Sequence, residues 1–145
     1  MRFLRPALTF AASGSLLAGI TTAWAAPASA APPQAVCGID YKTVSSMRIG
    51  SSGTVYLTYN SSNGNNCVAT IRDSTGSTVD MSVRIEVPDT GSSAEDFGRF
   101  TSHTGPAYVY GRGHCVNWGG SIGTKYVQIY NSNCGRQERR ETYTR

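Results

Sequence analysis

An all-β domain, a small antiparallel β-sandwich or barrel with two disulfides, follows from three features of this 145-residue chain. Val79 to Val87 alternates five apolar with four polar residues without a slip, which in an extended chain buries one face and wets the other. Other short runs rich in Val, Ile, Thr and Tyr are separated by clusters of Gly, Ser, Asn and Asp, the residues that strands and turns respectively favour. Beyond residue 30 no apolar stripe of useful length recurs at helical spacing, and short strands this closely spaced close into a sandwich or a barrel.

The N-terminal segment precedes that domain. Arg2 and Arg5 open the chain, an apolar run extends from Ala7 to about Ala25, and the small-residue steps Ala23-Trp24-Ala25 and Ala28-Ser29-Ala30 follow. A basic start, a short apolar core and an A-x-A exit are the pattern of a cleaved secretory signal peptide. We place the signal at residues 1–30, with Ala25 as the alternative last residue. A flexible mature N-terminus is expected at 31–36, the β-domain at 37–135 and a charged tail at 136–145. No second apolar stretch approaches the ~20 residues that span a bilayer. The expected product is therefore secreted, with no transmembrane segment after signal cleavage.

Within the domain an early strand covers Tyr41 to Ile49. Thr54 to Tyr59 and Cys67 to Arg72 are joined by a polar loop with an Asn63-Gly64 step and form a hairpin. Asp73-Ser74-Thr75-Gly76 turns the chain into the alternating strand 79–87, which Pro88-Asp89-Thr90-Gly91 ends. Phe97 to Thr101, Ala107 to Tyr110, His114 to Trp118 and Lys125 to Tyr130 complete the strand set.

An even number of cysteines in a short exported chain reads as a disulfide framework, here Cys37, Cys67, Cys115 and Cys134. Three pairings are open; Cys37–Cys67 with Cys115–Cys134 closes the shortest loops. Between Cys37 and Cys134 seven Lys or Arg balance seven Asp or Glu, so the formal net charge of +4 does not belong to the domain. A nucleic-acid binder carries a basic face on the domain itself, and no nucleic-acid partner is expected. The excess sits in the tail GRQERRETYTR, which is either a mixed-charge terminus or a tether to an acidic surface polymer.

The chemistry-bearing patterns are weak. Gly119-Gly120-Ser121-Ile122-Gly123 matches G-x-S-x-G, but no helix, Asp or His follows it as a nucleophile elbow requires; it reads as a Gly-rich turn. His114-Cys115 would need a free thiol beside its base, whereas an exported Cys is expected to be oxidised. On a strand His114 and Cys115 also face opposite ways. The Cys and His spacings fit no zinc site, and Glu95-Asp96 diverge on an extended chain. Gly111-Arg112-Gly113 lacks the following helix of a phosphate loop, and Asn60-Ser61-Ser62 is a glycosylation sequon. No enzyme, no metal and no cofactor are expected. The tyrosines Tyr56, Tyr59, Tyr108, Tyr110, Tyr126 and Tyr130 fall in strands and read either as packing residues or as an exposed aromatic face. Tyr108 and Tyr110, with Trp118 nearby, form the candidate aromatic binding face for a sugar ring or a partner.

GTVYLTYNSSNGNNCVATIRDSTG (53–76) and FTSHTGPAYVYGRGHCVNWGG (100–120), closed by Cys134-Gly135, resemble the spore-associated protein A family of small secreted proteins from Streptomyces-type actinomycetes. The resemblance spans about residues 37–135. It implies export and residence with spores or aerial growth, and it implies no catalytic residue or cofactor. The expectation is a secreted, non-enzymatic protein of the spore or cell surface, with a structural or binding role and a cell-wall or spore-surface polymer as candidate partner. Two other readings compete. One is a secreted inhibitor or toxin-like binding module of βγ-crystallin-like type, although the calcium signature of that fold is not found. The other is a small hydrolase, which would need a free thiol or a Ser-His pair in contact.

Overall fold

A computed structural model describes residues 29–135. All but the last two residues of the expected signal peptide, and the whole charged tail 136–145, lie outside the described residues. The element order is α1 (Pro33–Cys37), β1 (Lys42–Ile49), β2 (Gly53–Asn60), β3 (Asn65–Arg72), β4 (Val79–Val87), β5 (Ser92–Phe100), β6 (His103–Tyr110), β7 (Val116–Ile122) and β8 (Lys125–Ser132). The strands form two four-stranded antiparallel sheets, ordered β1-β2-β3-β6 and β5-β4-β7-β8. Hairpins join β1 to β2, β2 to β3, β4 to β5 and β7 to β8. The chain crosses between sheets after β3, β5 and β6. The all-β sandwich expected from periodicity is the observed architecture.

The core lies between the sheets. The alternation read in β4 places Met81, Val83, Ile85 and Val87 inside, against Val55, Leu57 and Val68 of one sheet and Val116, Trp118 and Ile122 of the other. Trp118 is 1% exposed, and its indole N–H donates to Ser132 Oγ at 2.7 Å. The sheets approach closely at Gly120. A Cβ there would strike Thr70 Oγ1 of the opposite sheet and lie 2.8 Å from the Ser82 carbonyl. Thr70 instead donates its hydroxyl to that carbonyl at 2.9 Å, which satisfies both polar groups in the dry interior.

A second cluster covers the outer face of the β1-β2-β3-β6 sheet. Cys37, Tyr41, Cys67, Ala69 and Ile71 are buried there, with Val36 and Tyr56 against them. The Cys37–Cys67 disulfide pins α1 to β3, and a Cys115–Cys134 disulfide ties the start of β7 to the chain beyond β8. Both are the shortest-loop pairs. Tyr108 donates its hydroxyl to the Cys37 carbonyl at 2.8 Å, and its ring lies 5.4 Å from that of Tyr41.

Within the mature N-terminus Pro33–Cys37 is a helical turn, with Cys37 buried and Val36 packed against the second cluster. Three expectations change. Strand β5 begins at Ser92 rather than Phe97. Its inward positions are Ala94, Asp96, Gly98 and Phe100, and the first three are too small or polar to register as a core face. Strand β7 begins at Val116, so His114 sits in the bend before it. Gly119 and Gly120 lie within β7 rather than in a turn.

Candidate functional site

The open surface of the sandwich is the outer face of the β5-β4-β7-β8 sheet. Register decides what meets there. Phe97 pairs with Ser82, Ser82 with Ser121, and Ser121 with Tyr126. One row thus crosses all four strands, an aromatic ring at each end and two serines between, their hydroxyls 2.7 Å apart. Three inter-strand steps separate the aromatic Cα positions by about 14 Å. Phe97 is 75% and Tyr126 77% exposed.

The adjoining row is Glu95, Arg84, Gly119 and Gln128. Gly119 supplies no side chain, and the Gln128 side chain lies over it. Position 119 is glycine of necessity: a Cβ would strike the Val127 carbonyl and lie 2.7 Å from Gln128 Oε1. A groove of ≈260 Å³ is lined by these residues with Ser82, Phe97 and Tyr126. Its one cation, Arg84, is matched locally. Arg84 meets Glu95 at 2.9 Å and Glu86 at 3.6 Å. The walls therefore offer two aromatic faces, an amide, a hydroxyl and a compensated ion pair, all reachable from solvent.

The residues singled out by sequence are placed differently. Tyr108 and Tyr110 stand on the outer face of β6, 40% and 54% exposed. Trp118 does not join them; it belongs to the other sheet and points into the core. The proposed trio is therefore not one face, since strand alternation sends Trp118 inward while its neighbour Gly119 forms the groove floor. Cys115 is disulfide-bonded and is no thiolate. His114 Nδ1 lies 3.1 Å from Asp89 Oδ2, and His103 Nδ1 lies 2.9 Å from Ser102 Oγ. Ser121 pairs with Ser82 rather than with a histidine. Glu95 and Asp96 diverge, the first outward to Arg84. Asp96 accepts the Thr104 hydroxyl at 2.6 Å and the Gly105 N–H at 2.8 Å. The Thr104 hydroxyl, followed by the Gly105 N–H, holds the Asp96 carboxyl below the usual carboxylate range. The sequon residue Asn60 is buried, and its Oδ1 accepts the Ser62 N–H. Arg112 of the Gly-Arg-Gly step donates to the Ser61 carbonyl at 2.7 Å. Among the described residues no group of three His, Cys, Asp or Glu is gathered as a metal site would need, and no helix is long and apolar enough to cross a membrane.

The chain is 48% identical over 132 residues, 88% of its length and 86% of the relative's, to spore-associated protein A of Streptomyces coelicolor. It belongs to the spore-associated protein A family. No family profile and no solved structure matches the chain. The relative's name and the two disulfides are consistent with an extracellular location for this family member. The signal that points to the groove in the sequence is slight: Phe97 and Tyr126 each sit at an outward position of a strand, but only register unites them.

Proposed function

We propose that the chain is an exported, non-catalytic protein of the spore or cell surface, built as a stapled sandwich that binds surface polymer. The observation that carries the reading is the near full-length similarity to a protein named for its association with spores. Three features support the non-catalytic part: the one Cys beside a His is held in a disulfide, the Ser of G-x-S-x-G is bonded to another Ser, and each His is paired locally. The basic start and A-x-A exits of residues 1–30 support export.

Fractionation of the producing organism tests it. The protein is followed through culture medium, a high-salt wash of spores and a detergent extract. The expected result is retention by spores and release by salt or detergent. Release by salt alone would assign the contact to charge, for which the four Arg of residues 136–145 are the available group. A protein found entirely in the medium sinks the surface reading and moves the inhibitor or toxin-like module forward.

A further inference from the structure

We infer that the groove over Gly119 is a binding site for a neutral polysaccharide chain, lying along the outer face of the β5-β4-β7-β8 sheet between Phe97 and Tyr126. The inference deepens the surface-polymer reading and rests on it for biological setting, but it makes a claim about one site and one ligand class. Four observations converge on that class.

The first is the pair of rings. Phe97 and Tyr126 are large, three-quarters exposed and outside both buried clusters. An aromatic face is electron-rich, and the axial C–H faces of a pyranose are its natural complement. The second is the floor. Gly119 carries no side chain, and the Gln128 amide lies over it, so the floor offers an amide oxygen to ligand hydroxyls. The third is the polar wall. The Gln128 amide both donates and accepts, Ser82 offers a hydroxyl, and Arg84 with Glu95 presents donors beside acceptors. Such mixed pairs suit vicinal hydroxyls, which are donors and acceptors at once. The fourth is charge. Arg84 is already matched by Glu95 and Glu86, so the groove holds no spare cation for a phosphate or carboxylate and disfavours an anionic ligand. The site is an open trough of ≈260 Å³ running out to both edge strands, which suits a continuous chain lying across it better than a small molecule engulfed by it.

The test uses the purified full-length mature protein and insoluble chitin, cellulose and β-1,3-glucan, with a glycerol-phosphate polymer as the anionic comparison. Depletion from solution is measured for the wild type, for Phe97→Ala, Tyr126→Ala and their double variant, and for Tyr130→Ala. Tyr130 is an exposed aromatic on the same strand that does not line the groove. The expected result is depletion by at least one neutral polysaccharide. Phe97→Ala and Tyr126→Ala each weaken it by about tenfold, the double variant abolishes it, and Tyr130→Ala leaves it unchanged. Unchanged unfolding midpoints show that the variants remain folded. Depletion by none of the neutral polysaccharides, or by the anionic polymer alone, overturns the inference. So does a double variant that binds like the wild type. Retention of the protein by spores in the fractionation experiment, alongside either overturning result, leaves the surface reading standing and removes only the groove. Loss of spore retention with groove-dependent polysaccharide binding does the reverse.

Discussion

The two outer faces of this sandwich are built from the same number of strands and finished in opposite ways. On the β1-β2-β3-β6 side, α1 and the Cys37–Cys67 disulfide lie over β3, and Tyr41, Tyr56, Ala69 and Ile71 fill the space beneath. Strands β2 and β3 are consequently buried on both sides. On the β5-β4-β7-β8 side no described element covers the sheet, and among the described residues Phe97 and Tyr126 stand exposed on either side of the groove. A domain of this size has a limited core. Helix α1 reinforces one face, and no described element covers the other, which separates the stabilising surface from the proposed binding surface. Substitutions should separate in the same way.

The largest effects belong inside. Trp118→Ala, which removes a buried indole and its bond to Ser132, should cost about 3–5 kcal/mol in urea unfolding. A cost below about 1 kcal/mol would mean that the indole is not a core group. Replacing Cys37 and Cys67 together by Ala removes the staple from the covered face and should cost about 2–4 kcal/mol. The same double substitution should leave the open face able to bind. If it abolishes binding in protein that is still folded, the two faces are not independent.

That independence explains what could be read from the chain and what could not. The nine residues of β4 announce themselves, because one face meets the core and the other meets water. In β3 strand alternation puts Cys67, Ala69 and Ile71 on one face, but alternation does not tell that both faces are buried, since the cover comes from a five-residue helix. Too short for a periodic signal, PQAVC folds because its disulfide and tertiary contacts hold it. The groove was illegible for another reason. Its row joins Phe97, Ser82, Ser121 and Tyr126 from four strands, and register follows from pairing rather than from any local motif. Trp118 drew attention by its chemistry, whereas the informative residue was the glycine beside it.

An intermediate effect lies where the chain crosses between the sheets. Asp96 on β5 accepts from the buried Thr104 hydroxyl and the Gly105 N–H of β6. Asp96→Ala orphans both donors and should cost about 2 kcal/mol at neutral pH. The carboxyl titrates below its unfolded value of about 3.9, with His103 contributing in the same direction. Its stabilisation is therefore complete above about pH 4 and is lost as pH falls through the folded value. Asp73, lowered by the hydrogen bond from Arg48, adds acid sensitivity of the same sign. Urea midpoints measured from neutral pH into acid should fall less steeply for Asp96→Asn than for the wild type. Parallel profiles would show that Asp96 is not linked to folding. On the covered face, Tyr108→Phe deletes only the bond to the Cys37 carbonyl and should cost about 1 kcal/mol.

The smallest stability effects should come from the two rings that matter most to the proposed site. Phe97 and Tyr126 belong to neither buried cluster, so truncating either to Ala exposes no core and leaves no buried partner unsatisfied. Each should shift stability by less than about 0.5 kcal/mol, and removing exposed apolar area has no reason to lower solubility. Near-neutral stability is itself a test of the contrast between the faces. If Phe97→Ala cost as much as a core substitution, the ring would be a structural lid on the sheet, and its exposure would not mark a ligand surface. If stability is unchanged while polysaccharide depletion falls about tenfold, the same side chain is dispensable to the fold and necessary to the groove. That combination is what a binding face requires, and no residue of the covered face should reproduce it.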